Sequence, residues 1–303
     1  MMRPTRKEAK KDMAEELVGV IGGTGLGDAL AEQLTGVELR EEQTPFGAPS
    51  GPIIVGMLGN RQIAFVGRHG PGHRFGPSDV PYAANIFALK QLGVHSIIAS
   101  GAVGSLRDEI APGDLVIVDQ FIDKTFRRTS TFFGNHGAVH CEMAQPTCGR
   151  LRESLQRTAE PMDIKIHTEG TYVCMEGPQF STRAESLMHR TWGGDLIGMT
   201  AMPEAKLARE AQMCYALVAL ASDYDCWRPH DASKGKQTLL QEIISNLKTA
   251  TDNCLALIEA LLAGGESLVC EDCACRTSLE LAVWTDPKQI GAGRKEDLAV
   301  LFE

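Results

Sequence analysis

Short apolar runs, each closed by a polar or glycine-rich segment, recur along most of this chain. The first, Leu17-Val18-Gly19-Val20-Ile21, enters the turn Gly22-Gly23-Thr24-Gly25-Leu26-Gly27. Two more, Ile53–Leu58 and Gln62–Val66, flank Gly59-Asn60 and predict a hairpin. Residues 80–92 predict a helix, with Tyr82, Ile86, Leu89 and Leu92 near helical spacing. The runs 96–99, 114–118, 171–175, 196–199 and 216–221 read as short buried strands. Further helices are expected over 182–191, 204–212 and 237–262, the last with Leu or Ile at about every third or fourth position. Strands alternating with helices predict an α/β fold with a largely buried sheet. The only boundary that suggests itself is Gly264-Gly265. A flexible tail over 1–15, a domain over 16–263 and a C-terminal extension over 264–303 packing on that domain are therefore expected.

The segments that follow the apolar runs carry the candidate chemistry. They are GGTG after Ile21, RHG after Val66, SGAVGS after Ala99, EGPQFS after Met175, MT after Gly198 and SDYD after Ala221. Ligands of open α/β sheets collect where strands end. These segments are accordingly expected to converge on one pocket.

Charge narrows the partners. Of 303 residues 43% are hydrophobic, and the formal net charge of -9 speaks against a nucleic-acid partner. A small anion stays compatible, since a local cluster of donors can oppose the global charge. The basic N-terminus is not followed by the apolar stretch of a secretory signal, and no run approaches the ~18–20 residues that span a bilayer. A soluble cytoplasmic protein without a membrane partner is expected. Nine cysteines fit a reducing compartment. Cys270, Cys273 and Cys275 are clustered, and a reduced cluster, a redox-active pair and a metal site all stay open. No second cysteine or histidine pair at zinc-finger spacing lies nearby in sequence.

Each segment has a chemical reading. Gly22-Gly23-Thr24-Gly25 can turn backbone N–H groups and the Thr24 hydroxyl toward an anion. It is not a dinucleotide fingerprint, because Asp28 occupies the third glycine position. Arg68 can grip phosphate through its planar fork, with His69 as a further donor or as the group that positions it. His69 and His73 have no acidic partner at a metal-ligand spacing. Phe180 offers a face for stacking a planar base, and Ser181 or Thr182 can cap the helix that follows. Asp223 and Asp225, one residue apart on an extended chain, point to the same side. With apolar neighbours, one of them could keep a proton and donate to a purine N7.

Together, VIGGTGL, TPFG, GRHG, AVGSL, PGDLVIVDQFID, EGPQFSTRAES, GMTAMPEAKLARE and SDYDCW resemble, in order, the 5'-methylthioadenosine phosphorylase branch of the purine nucleoside phosphorylase family. The resemblance runs from about Gly19 to Trp227. It implies a single α/β domain in which helices flank a mixed central sheet, assembled as a homotrimer with sites near the interfaces. It implies a phosphate site of Thr24, Arg68, His69, Thr200 and the backbone at Ala102. Met199 would lie along the ribose, with the Glu176 loop close to the sugar. Phe180, Ser181, Asp223 and Asp225 would meet the base, and His140 would reach the 5'-substituent from a neighbouring subunit.

The implied reaction is phosphorolysis of 5'-methylthioadenosine, with inorganic phosphate as co-substrate, Asp223 as the catalytic acid and no metal or organic cofactor. The same chemistry on 6-oxopurine nucleosides is the alternative, and a non-catalytic nucleoside- or NAD-binding protein is a different class. Three departures stand out. Gly101 occupies a position often held by a hydroxyl residue. The segment RPHDASKGK after Trp227 is polar where relatives have apolar cover, which Leu239 and Leu240 could replace. Cys273-Ala-Cys275 is similar to Cys-X-Cys tails in some relatives, where a disulfide is suggested.

Overall fold

The fold was established from a computed structural model, which describes residues 16–23, 26–134, 137–229, 233–286 and 296–302. Eleven strands form one mixed sheet. They are β1 (Leu17–Gly22), β2 (Thr35–Arg40), β3 (Ile53–Leu58), β4 (Arg61–Gly67), β5 (Ser96–Ser105) and β6 (Leu115–Val118). The rest are β7 (Gln120–Lys124), β8 (Ile166–His167), β9 (Thr171–Met175), β10 (Leu196–Gly198) and β11 (Cys214–Asp223). The helices are α1 (Leu26–Gln33), α2 (Tyr82–Gln91), α3 (Gly149–Ala159), α4 (Arg183–Thr191), α5 (Glu204–Glu210) and α6 (Lys236–Ala263).

The main path runs β2-β3-β4-β1-β5-β10-β9-β7, while β11 joins the other flank of β5 and leads to β6 and β8. Parallel pairs (β1 with β4 and β5, β11 with β5) meet antiparallel ones (β3 with β4, β6 with β11, β10 with β5). Strand alternation sorts the side chains onto two faces. In β11, Ala216, Val218 and Leu220 pack with α1, α3 and α6, whereas Tyr215, Leu217 and Ala219 pack with α2 and α5. Burying a side chain such as Val218, Leu217 or Leu220 stabilises the fold by about 1.5–3 kcal/mol. Because both faces are covered, these strands read in the sequence as unbroken apolar runs. Leu268 and Cys275 pack on the first face, and Leu279, Ala282 and Leu301 on the second, so the segment beyond α6 crosses the sheet margin.

Several elements differ from the sequence expectation. β5 continues through Ser105, six residues beyond the apolar run, because β11 stays paired with it as far as Gly104. β2 is exposed along its whole length and held by backbone pairing to β3, so no apolar pattern announces it. β7 is half-buried at every position, and α3 has only Leu151 and Leu155 as large apolar anchors.

Close packing beneath the sheet ends is tightest at Gly198. A Cβ there would come 2.0 Å from the Tyr172 hydroxyl. Tyr172 is fully buried and its hydroxyl accepts from the Thr200 backbone N–H at 3.3 Å. Overpacking of this kind typically costs about 1–3 kcal/mol, and more where nothing can move. Gly198→Ala is expected to lower the thermal unfolding midpoint by several degrees. Adding Tyr172→Phe to that variant should recover part of the loss, as read by calorimetry.

Candidate active site

Just beyond the C-terminal end of β4 and beside the middle of β5, the side chain of Arg68 is buried completely. Its Nε and Nη2 donate to Glu204 Oε2 and Oε1 at 2.7 and 2.9 Å, and its Nη1 donates to the Ser100 carbonyl at 2.7 Å. Burial works against the charge, but the Glu204 carboxylate outweighs it and holds the guanidinium firmly protonated. The planar fork expected to grip the anion is therefore committed to Glu204. A buried cation requires a counter-charge. Three of the five N–H groups of the guanidinium are taken by these bonds, and two remain. Glu204 Oε1 also accepts from the Tyr215 hydroxyl at 2.8 Å, which fixes the pair to β11.

Gly101 brings three groups together. A Cβ on Gly101 would lie 3.4 Å from Thr200 Oγ1 and 4.0 Å from Arg68 Nη1, and Gly23 approaches the same Nη1. A hollow of about 440 Å³ is lined here by Gly22, Gly23, Arg68, His69 and Gly70, among others. Thr24 lies outside the described residues. His69 Nδ1 is 2.9 Å from the Phe75 carbonyl, and its ring stacks on His73 at 4.1 Å. A carbonyl only accepts, so Nδ1 carries the proton. Burial, aided by the positive charge of Arg68 and by His73, pulls the His69 pKa down to about 4 despite the Phe75 hydrogen bond. The ring is thus neutral at pH 7, with the proton on Nδ1 and a lone pair on Nε2.

The carboxylate pair lies opposite the later part of β5, at and just beyond the end of β11. Asp223 is opposite Gly104 in the β5–β11 register, and a Cβ on Gly104 would sit 3.2 Å from Asp225 Cβ. From Gly101 to Gly104 the chain advances about 10 Å, roughly the length of a nucleoside. Between them Ala102 is exposed, although residues 96–101 of this strand are all buried. Asp223 Oδ1 accepts from the Ser222 hydroxyl at 2.6 Å. Asp225 is buried, beyond the strand in a turn, and its Oδ2 has no hydrogen-bond partner. His189 is a neighbour that the sequence reading did not pick out. Its Nε2 accepts from Lys124 Nζ at 2.8 Å, which leaves Nδ1–H as a buried donor that also lacks a partner.

Asp223 lines a second hollow of about 410 Å³ with Leu239, Ile243 and Asn246. Neither of these two hollows is lined by all six strand-end segments. The first hollow includes Gly23 and Arg68, which neighbour Gly101, and the second includes Asp223, which is opposite Gly104. Leu239 supplies apolar lining beside Asp223, while Leu240 is exposed. His230, Asp231 and Ala232 lie outside the described residues.

The Glu176 loop is held from inside. Glu176 accepts from the Ser78 hydroxyl, from Phe126 N at 2.7 Å and from Arg127 N at 3.2 Å, and it pairs with Arg128 at 3.2 Å. Burial would raise its pKa, but these hydrogen bonds and the Arg128 charge bring it down to about 2. Its carboxylate is spent on the scaffold. Arg128 also donates to the Met199 carbonyl at 2.6 Å and the Glu176 carbonyl at 2.7 Å, tying β9 to β10. Gly177, at φ 70°, lets Met199 lie across this loop, since a Cβ there would meet Met199 Sδ at 2.6 Å. Thr182, and not Ser181, caps α4: its hydroxyl accepts from Glu185 N at 3.2 Å while Glu185 accepts from Thr182 N at 2.8 Å. Ser181 is half-buried beside Met175, and Phe180 is 85% exposed. His140 is exposed and packs edge-on to Trp284, itself 74% exposed.

A mixed α/β sheet with a buried, ion-paired arginine just beyond β4 and a carboxylate pair at the end of β11 defines a class. The chain belongs to the phosphorylase superfamily, whose family model matches residues 17–263. An S-methyl-5'-thioadenosine phosphorylase of Cereibacter sphaeroides is 46% identical over 273 residues, covering 89% of this chain and 92% of that one. A methylthioadenosine phosphorylase from an antarctic soil metagenomic library superposes with a TM-score of 0.85 at 43% identity, covering 94% and 98% of the two chains. A mutant adenosine/methylthioadenosine phosphorylase of Schistosoma mansoni, in complex with methylthioadenosine, gives a TM-score of 0.73 at 36% identity over 84% and 93%.

Two outcomes follow from the anion seat. Glu204→Gln removes the charge that compensates Arg68, which for a buried pair costs about 3–5 kcal/mol. The variant should unfold at lower temperature and show a phosphate KM raised by about tenfold or more. The Nε2 lone pair of His69 can accept from monohydrogen phosphate but repels sulfate, which has no proton to give. Sulfate should therefore inhibit the wild type weakly. His69→Gln, whose amide can donate, should tighten sulfate inhibition while weakening phosphate, as measured by competitive inhibition constants at pH 7.5.

Proposed function

We propose that the protein catalyses reversible phosphorolysis of 5'-methylthioadenosine, giving adenine and 5-methylthioribose 1-phosphate, a reaction of purine and methionine salvage. The observation that carries this reading is the exposed Ala102 on β5, with Arg68 and Thr200 beyond one end and Asp223 beyond the other. The activity that the similar proteins are named for supports it.

In this reading the ribose lies over Ala102 with Met199 beside it. Phosphate sits against the two remaining N–H groups of Arg68, the Thr200 hydroxyl and the turn that includes Thr24. The C1'–N9 bond breaks first, its electron pair going to the purine, while Asp223 donates to N7 so that the base leaves neutral. A phosphate oxygen then bonds to C1' from the opposite face. Positioning and fixed charges supply most of the acceleration. No step draws on a metal or organic cofactor. Asp225 accepts from the exocyclic amine, which favours a 6-amino purine over a 6-oxo one. Phe180 and Ser181 border the base. The lone pair of His69 selects the protonated anion.

The assembly in this reading is a homotrimer in the cytoplasm. Exposed Phe126, Phe180, Leu281 and Trp284 give apolar surface for subunit contacts, and His140 beside Trp284 would reach a neighbour's 5'-substituent.

Incubation with phosphate and 5'-methylthioadenosine should release adenine and the sugar phosphate in equal amounts, with inosine or 5'-methylthioinosine turned over far more slowly. Hypoxanthine release without adenine would establish the 6-oxopurine reaction instead. Binding of intact nucleoside without phosphate-dependent turnover would indicate a non-catalytic protein. Asp223→Ala should lower kcat by about two to four orders of magnitude with the thermal midpoint unchanged.

A further inference from the structure

Away from the cleft, four thiols meet at one point. The sulfurs of Cys148, Cys214, Cys273 and Cys275 all lie within 4.8 Å of one another, and those of Cys148 and Cys273 are 3.7 Å apart. Three distant stretches of chain supply them. Cys148 is the N-cap of α3, Cys214 opens β11, and Cys273 and Cys275 lie at the start of the short 3-10 helix Ala274–Thr277. Two of the four partners are thus invisible to a search for local ligand spacing.

The geometry has a chemical match. Four thiolates around a zinc ion, with bonds of about 2.3 Å, stand at the corners of a tetrahedron whose edges are about 3.8 Å. The Cys148–Cys273 separation equals that edge to about 0.1 Å, and movement of about 1 Å or less brings the other sulfurs to it. Charge points the same way. A divalent ion with four thiolates carries two negative charges, and two guanidiniums attend the cluster. Arg209 Nη1 is 3.7 Å from Cys275 Sγ, and Arg150 Nη2 is 4.0 Å from Cys214 Sγ. Paired disulfides would leave those cations against neutral sulfur. Cys148 also heads an eleven-residue helix, whose N-terminal dipole favours a thiolate.

We propose that Cys148, Cys214, Cys273 and Cys275 form a structural tetrathiolate site for a zinc-class divalent cation. Soft thiolates select such an ion over magnesium or calcium. Four protein ligands leave no open position, so the site serves architecture and not catalysis. Its place explains the purpose. The segment after α6 packs Leu268 and Cys275 on one face of the sheet and Leu279 and Ala282 on the other. The ion would clip this segment to α3 and β11 where it crosses, adding to the hydrogen bond from Ser96 Oγ to the Leu268 carbonyl at 2.6 Å. Each bound ion displaces the thiol protons as it enters.

The test is metal analysis of the full-length protein purified under reducing conditions from zinc-replete culture. One equivalent of zinc per chain is expected by elemental mass spectrometry. Exchange with cobalt should give the thiolate charge-transfer and visible bands of tetrahedral Co(II). Removing the metal with a high-affinity zinc chelator should lower the thermal midpoint by several degrees. Cys273→Ser with Cys275→Ser should abolish the metal and the cobalt bands, while Cys270→Ser, outside the cluster, should keep both. If the double variant does not fold, the wild-type stoichiometry and cobalt spectrum decide alone. A wild type that carries no metal and gives no tetrahedral cobalt spectrum overturns the proposal, whether its thiols titrate as free or its intact mass reveals disulfides.

Discussion

A buried ion pair, Arg68 with Glu204, fixes the chain just beyond β4. Arg68 has no solvent around its guanidinium, and an isolated charge in that position would cost several kcal/mol. Glu204 makes it tenable by taking two of its N–H groups, and the Ser100 carbonyl takes a third. The same bonds fix the orientation of the two that remain. β4, β5, α5 and, through Tyr215, β11 are all tied to this one group. In the proposed reaction the phosphate would meet donors already fixed in place, the arrangement that makes electrostatic stabilisation effective.

From that seat, β5 works as a ruler. Its residues before Ala102 are buried between neighbouring strands, and Ala102 opens to solvent. Gly101 keeps the anion end clear and Gly104 makes room for Asp225. A second internal ion pair, Glu176 with Arg128, supports the wall formed by β9 and β10 and fixes the Met199 carbonyl.

The sequence made the strands legible because burial on both faces leaves continuous apolar runs. Arg68, Thr200 and Asp223 were legible because each follows such a run directly. The resemblance supplied their joint purpose. Glu204, Arg128 and His189 were not singled out: a charged residue within a helix or loop normally faces water, and only tertiary packing turns it into a buried partner. The acceptor role of His69 depends on the Phe75 carbonyl, a tertiary detail no spacing encodes. β2 and β7 were missed because backbone pairing, not side-chain pattern, holds them. Cys148 and Cys214 looked solitary because their neighbours come from the far end of the chain.

The most direct measurement is a crystal structure of the protein with phosphate and a non-cleavable 5'-methylthio analogue of adenosine. The account predicts phosphate against Arg68 and Thr200, the sugar above Ala102, and the purine edge at Asp223 and Asp225 in one continuous cleft, completed where needed by a neighbouring subunit. Phosphate and purine found in hollows that no single bound nucleoside can bridge would contradict it.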